Sequence, residues 1–403
     1  MASLLLRVPI VSFAAMPRFD RHELAGGLGD AGLFVPIAVA LVAVNGLDAT
    51  AVFGVGGLAY IGTALYFRVP VPVQPLKAFA AAAIALDLEA DVIAAGAILM
   101  SASMAALGAT GAAGWLAARF PLVLVRGIQA AVALLLAKAA VELAERGNWA
   151  GLPHVSASAG LVTAGVCCAA LFLLRGTRWP GALVVLAGGF AAGVLVGGVP
   201  EAGLGPGSVG LSLPGAPEFG AALTTLVLAQ LPLTFGNSVV ATADAERSYF
   251  GARARRVQPN RLAASIGAGN LVAGLTHGLP ICHGAGGVTA HVKLGARTAA
   301  ATASAGVLYL GLALLFGESL PAIMQLLLPG ALAGMLLFVA IQHAILAGTL
   351  EQPADRAIAA GVGVVTLASG NLAIGFGAGV AVVAGRRLLS GVGGRVAGEG
   401  SRA

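Results

Sequence analysis

Val69-Pro70-Val71-Pro72-Val73-Gln74-Pro75-Leu76-Lys77 sets three prolines and a lysine inside apolar sequence of membrane-spanning length. A second stretch, Leu279-Pro280-Ile281-Cys282-His283-Gly284-Ala285-Gly286-Gly287, interrupts another apolar run with a proline and three glycines. In hydrocarbon every backbone N–H and C=O needs a partner, so irregular segments survive there only inside the protein or along a cavity. Paired interrupted spans in the two halves of a chain mark a transport site. Both stretches are therefore expected at the centre of the molecule, away from lipid.

The remainder of the chain belongs to the same setting. Of 403 residues, 58% are hydrophobic and 10% charged, where a soluble domain has about 25% charged. The mean hydropathy is +0.94. This is an all-α polytopic membrane protein, and its 59 glycines suit helices that pack backbone to backbone. The net charge of +6 does not point to nucleic acid, because the arginines cluster in short loops, as a positive-inside bias requires. Cys167, Cys168 and Cys282 form neither a disulfide framework nor a zinc spacing. Arg7 splits the apolar residues of the N-terminus into runs too short for a secretory signal, so residues 1–22 read as a short retained arm.

Apolar runs of about 15 to 25 residues place spans at 23–44, 51–67, 70–85, 92–114, 121–144, 158–174 and 180–198. After a Gly/Pro-rich linker at 199–219 come 221–243, 261–276, 279–292, 298–316, 320–347, 357–369 and 371–385. The count is seven plus seven, with the third and tenth half extended and half helical. Threading the chain with its N-terminus inside puts Arg7, Arg18, Arg21, Arg119, Arg175, Arg178, the run Arg247 to Arg261, Lys293, Arg297, Arg386 and Arg387 on one face, the cytoplasm. The other face receives Asp48, Asp87, Glu89, Asp91, Glu201, Glu218 and Glu318. The linker carries no Lys or Arg, and Arg146 is the main exception. Pro72 and Pro280 stand 208 residues apart, and Pro121 and Pro321 stand 200 apart. Near-constant offsets suggest an internal repeat, 23–198 against 220–386, and an odd span number makes the halves inverted. Residues 387–403 form a basic tail, and both termini lie in the cytoplasm.

The chemistry sits at the breaks. Residues before proline favour extended backbone, so Val69 to Gln74 should be strand-like. Pro75 should open a helix, as proline favours the first turn. Leu279 to Cys282 should likewise be extended, with a helix starting across His283, Gly284, Ala285, Gly286 and Gly287. Each helix start carries about half a positive charge and is a ready anion site. Two facing starts plus the Lys77 ammonium sum to about two positive charges, which suits a small dianion. A lysine at the bilayer centre costs about 2.5–3.5 kcal/mol, which favours a functional reading of Lys77 over incidental placement or pairing with Asp30.

Gly29-Asp30 with Phe34-Val35-Pro36, Pro72-Val73-Gln74-Pro75-Leu76-Lys77-Ala78, Arg126-Gly127-Ile128-Gln129, Leu231-Pro232-Leu233-Thr234 with Asn237-Ser238, and Pro280 to Gly287 ending in Leu294-Gly295-Ala296-Arg297-Thr298 together resemble the bacterial and plant molybdate-transporter family. The resemblance runs from about residue 23 to 345 and implies kinship with SulP sulfate transporters and uracil permease-like carriers. Their fold is a seven-plus-seven inverted repeat with a core and a gate domain. The chain departs from the family pattern at Leu76 and across Ala290-His291-Val292-Lys293.

With that resemblance, the candidate substrate-binding residues are Gln74, Pro75, Lys77, His283, Gly284, Ala285, Gly286, Phe34, Thr234 and Asn237. Gln74 either touches substrate or caps a helix. His283 either donates to the anion or caps its neighbour. Thr234 and Ser238 either offer hydroxyls or bond their own helix. Asp30 is the candidate for a coupling proton, or else a structural partner for Lys77 or Arg21. Arg126 is assigned to the cytoplasmic end of its span, with Gln129 a turn further in. His277 and His291 are read as interfacial.

The favoured function is a secondary carrier that imports molybdate, with sulfate or tungstate, an anion channel of the same fold, and a homodimer left open. An enzyme is disfavoured, because six histidines without His-x-x-His spacing supply no metal centre and no nucleophile motif is present. No Gly-x-x-x-x-Gly-Lys-Ser/Thr loop indicates direct ATP drive, and nothing calls for a cofactor. The setting expected is a bacterial cytoplasmic membrane.

Overall fold

Helix α1 (Arg21–Gly27) starts where Asp20 accepts hydrogen bonds from the N–H groups of His22 and Glu23 at 2.8 and 3.0 Å. It passes through a tight turn, Leu28–Asp30, into α2 (Ala31–Asn45). Asp48 caps α3 (Ala49–Phe67) by accepting from Ala51 N–H at 2.6 Å, and the helix stops at Arg68 with φ 62°. The computed structural model describes residues 19–113, 115, 121–145, 156–174, 181–199, 201 and 203–399, without the side chains of Asp30, Arg387 and residues 389–399. The readings made for Arg7, Arg18, Arg119, Arg146, Arg175 and Arg178, and for most of the N-terminal arm, lie outside the described residues.

The first break is a two-residue strand, β1 (Gln74–Pro75), followed by α4 (Lys77–Ala85). Then come α5 (Ala90–Thr110), α6 (Leu122–Glu145), α7 (Ala157–Leu173) and α8 (Gly181–Gly197). The next element, α9, runs continuously over Ala216–Arg256 and begins inside the segment expected to be linker. It carries wide π-turns at Leu223–Val227 and Thr234–Ala241 on either side of Pro232, which has no N–H to give the helix ladder. Helix α10 (Pro259–Leu275) leads to the second break, β2 (Ile281–Cys282) and α11 (Ala285–Leu294). The chain ends with α12 (Ala300–Phe316), a short α13 (Leu320–Gln325), α14 (Pro329–Ala347), α15 (Pro353–Ser369) and α16 (Leu372–Glu399). The expected twelfth span is thus two helices, and the expected tail continues α16.

Among the described residues, five helices are long and apolar enough to cross a membrane alone, or six if the bent pair α1 and α2 counts as one. Four shorter apolar helices accompany them: α7, α8, α12 and the stretch Leu372–Arg386. Large apolar side chains stand outward on these helices, as with Leu65, Val162, Val166 and Leu195. Lipid accepts such a surface where water would not.

Packing divides the helices into two groups. In one, α3 lies along α12 and α5 along α10, with α9 against α5 and α11. In the other, α6 packs on α14 and α15, α14 on α7, and α15 on α16. Glycine allows the closest of these contacts. A Cβ on Gly57 of α3 would stand 2.5 Å from Leu310 N and 2.8 Å from Gly306 O, so the two backbones touch.

The two breaks meet at the centre. β1 and β2 pair antiparallel, Gln74 opposite Cys282 and Pro75 opposite Ile281, and Leu76 N–H donates to Pro280 O at 3.0 Å. Side chains satisfy the rest of this buried backbone. Asn270, fully buried on α10, accepts from Ile281 N–H at 2.9 Å and donates to Ile281 O at 2.7 Å. His283 Nδ1 donates to Pro72 O at 2.8 Å. This meets the requirement that irregular backbone at membrane depth find its partners inside the protein.

Candidate functional site

The first intrahelical bond of α4 runs from Ala80 N–H to Leu76 O at 2.7 Å, so the N–H groups of Lys77, Ala78 and Phe79 precede it. Phe79 N–H is taken by Gln230 Oε1 of α9 at 2.9 Å. In α11 the first bonds run from Gly287 and Val288 N–H to Gly284 O at 3.0 and 3.2 Å, ahead of which stand Ala285 and Gly286. Lys77 Nζ donates to Gln74 Oε1 at 2.7 Å. Gly284 lies directly against this pair. A Cβ there would collide with Gln74 Oε1 and stand 3.3 Å from Asn237 Nδ2. Gly286 has open space where its Cβ would be.

These residues edge a cavity of about 610 Å³. Gln74, Lys77, Asn237, Ala285 and Gly286 line one side. Arg126 and Gln129 of α6, with Phe338, Val339, Gln342 and His343 of α14, line another. The cationic groups of the lining are Lys77 and Arg126, and no carboxylate is among its described side chains. A helix start at each break adds about half a positive charge. The cavity is a concave, electropositive site of a size that suits a small molecule.

Of the expected site residues, Gln74, Lys77, Asn237, Ala285 and Gly286 come together on the cavity, with Gly284 behind them. Four others sit elsewhere. Phe34 is fully buried and stacks on Tyr309 at 4.5 Å, with Phe53 edge-on at 6.0 Å, so it is aromatic core and not lining. Thr234 is fully buried and its hydroxyl accepts from Gln230 Nε2 at 2.9 Å, which holds Gln230 on the start of α4. His283 spends Nδ1 on Pro72 O, while its Nε2 accepts from the Ser265 hydroxyl at 3.2 Å, so its ring braces the strand pair. Pro75 is held in the ladder and its carbonyl accepts from Cys282 Sγ. The side chain of Asp30 lies outside the described residues, whereas neighbouring Gly29 lines the cavity.

Three further residues bear on the site. Arg126, assigned to the cytoplasmic end of its span, stands near the start of α6 and also lines the cavity, where it donates from Nη1 to Gln129 Oε1 at 2.7 Å. An arginine inside an apolar run is itself a functional signal, since its cost at membrane depth must be offset. His291 is fully buried, not interfacial. His343, which no motif singled out, lies on the lining. By contrast His277 is at the surface, its Nε2 2.7 Å from Asp91 Oδ1.

The fold is that of known anion transporters. Over 89% of this chain and 97% of the other, it matches the transmembrane domain of the cyanobacterial bicarbonate transporter BicA with a TM-score of 0.62 at 17% identity. It matches murine Slc26a9, an anion transporter in its inward-facing state, with a TM-score of 0.62 at 16% identity over 92% of this chain and 69% of that one. The protein is therefore an integral membrane protein of a transporter fold. The sequence carries the assignment further. The family model described as "Molybdate transporter of MFS superfamily" matches residues 22–136 and 222–342, and the chain belongs to that family. Curated relatives include molybdate transporter 2 of Arabidopsis thaliana, 27% identical over 88% of this chain and 84% of its own. Molybdate transporter 1 of Chlamydomonas reinhardtii is 28% identical over 88% and 89%.

Proposed function

We propose that the chain is a secondary carrier that imports a tetrahedral oxyanion, molybdate first, by alternating access. The anion binds in the cavity between the starts of α4 and α11. The observation that carries this reading is the lining itself: Lys77, Arg126 and two helix starts converge with no described carboxylate to oppose them. That amounts to about three positive charges, gathered in one concave site. Family membership favours molybdate over sulfate, since both are tetrahedral dianions that this lining treats alike.

Seven-plus-seven inverted repeats are part of the same reading. Gln74 pairs with Cys282, 208 positions later, the same offset that separates the two break prolines Pro72 and Pro280. The packing of α3 on α12 has its repeat mate in α10 on α5, and α6 on α15 has its mate in α14 on α7. This symmetry supports two opposed halves around one site. Rocking of the α6–α8 and α14–α16 group against the remainder would open the cavity to either side. Asp30 is the proposed carrier of a coupling proton, because a dianion entering a negative-inside cell needs positive company. Residues 199–219 are placed outside, both termini in the cytoplasm of a bacterial cell, and a homodimer is compatible with this arrangement.

Uptake of labelled molybdate into proteoliposomes, in competition with unlabelled sulfate and tungstate, tests the function. Saturable uptake driven by an imposed gradient, with tungstate competing, is the expected result. Flux that does not saturate would make the protein a channel, and absence of uptake with any of the three anions would refute the reading.

A further inference from the structure

The cavity wall formed by α6 and α14 carries two buried nitrogen atoms whose hydrogen-bonding capacity is not met by the protein. Arg126 uses Nη1 on Gln129, but its Nε is buried without a hydrogen-bond partner. His343 is 7% exposed, and its Nδ1 is buried without a partner. Buried polar atoms are nearly always satisfied, and leaving one unmet costs about 1–3 kcal/mol. Both residues line the same cavity, from α6 and α14, which pack on each other. Lys77 and the helix starts come from α4, which itself packs on α6, and from α11, which packs on α9.

We infer that Arg126 and His343 are direct ligands of the transported oxyanion and complete its site from the α6–α14 wall. The inference rests on the proposed anion site and adds to it a second set of contacts. A tetrahedral dianion offers only acceptors, so it suits an Arg Nε–H and a His ring N–H as well as the Lys77 ammonium. Four oxygens at tetrahedral directions can reach both walls at once, which a single row of donors on one helix start could not exploit. Bound in this way, the anion joins the α6–α14 wall to the helix starts of α4 and α11. The like charges of Lys77 and Arg126 share this lining, with no carboxylate among its described side chains. Substrate thus favours the closed cavity and the empty carrier resists closure, which ties the conformational change to the presence of cargo.

Full-length protein in detergent, titrated with sodium molybdate by calorimetry, tests this. Arg126→Gln and His343→Leu should each weaken binding about tenfold or more, with unchanged elution and melting of the ligand-free protein. His343→Gln, which keeps a donor, should recover part of the loss, and so should Arg126→Lys. Ile345→Ala, on the exposed face of α14, should bind like the parent. The Arg126→Gln, Lys77→Gln pair should lose less than the sum of the two singles, because contacts sharing one ligand do not add. If Arg126→Gln and His343→Leu both bind within twofold of the parent while Lys77→Gln does not, the inference is overturned and the two-helix-start site survives. If Lys77→Gln binds normally while the other two lose affinity, the two-start reading fails and the α6–α14 wall stands. Should Arg126→Gln or His343→Leu not fold, normal binding by both Arg126→Lys and His343→Gln at twofold precision would overturn it.

Discussion

Lys77→Gln isolates one charge from everything else it touches. The glutamine amide can still donate to Gln74 Oε1, the acceptor that lies 2.7 Å from Nζ, so the local structure at the start of α4 is kept. What disappears is the full positive charge on the cavity lining. A hydrogen bond to a charged partner contributes about 1.5–3 kcal/mol. At about 1.4 kcal/mol per decade, its loss should weaken molybdate binding by about 10- to 150-fold. The remaining affinity would come from Arg126 and the two helix starts. Lys77→Met, which removes the donor to Gln74 as well, should be at least as weak and should also lower the melting temperature. Lys77→Arg, which keeps the charge but not its shape, should fall between the parent and Lys77→Gln. Calorimetric titration in detergent reads the affinity, and proteoliposome uptake reads transport. A dissociation constant within twofold of the parent for both Lys77→Gln and Lys77→Met would remove Lys77 from the site.

Gly284→Ala should impair binding because its Cβ runs into Gln74, whereas Gly286→Ala should be nearly silent and Gly286→Val should obstruct the cavity; equal effects of the two alanine variants on molybdate affinity would contradict this geometry. Gly57→Ala should destabilise the α3–α12 pair by about 1–3 kcal/mol, while Gly62→Ala, with nothing within 4 Å of its Cβ, should leave thermal melting unchanged. Glu23 is buried and accepts from the N–H groups of Arg297 and Thr298 at 3.1 and 3.2 Å. Glu23→Ala should therefore cost about 3 kcal/mol of stability, and a melting temperature equal to the parent's would show that this contact is dispensable. Single cysteines at Ser208 and Arg255 should differ in labelling by an impermeant reagent on intact cells, with only the former modified; the reverse pattern would invert the proposed topology.

Much of the candidate site was legible from residue chemistry. Proline and glycine act through the backbone at the position where they stand, so the breaks at 69–77 and 279–287, and the helix starts that follow them, were readable one residue at a time. Lys77, Ala285 and Gly286 came with them. The candidates that the structure sets away from the cavity are side chains whose direction depends on a neighbour elsewhere in the fold. Phe34 faces Tyr309, Thr234 faces Gln230 on a widened helix turn, and His283 reaches across to Pro72. Nothing local distinguishes a buried brace of this kind from a residue pointing into a cavity.

The sequence by itself determined the membrane setting, the places where helices must break and the helix starts that follow them, because hydropathy and proline stereochemistry act over a few residues. Only the tertiary structure decided which groups meet. The pairing of Gln74 with Cys282 brings two helix starts together across 208 residues of chain. The packing of α6 on α14 carries Arg126 and His343 to the same cavity as Lys77. That convergence depends on long-range helix packing, and local sequence constrains packing partners far more weakly than it constrains where a helix begins and ends.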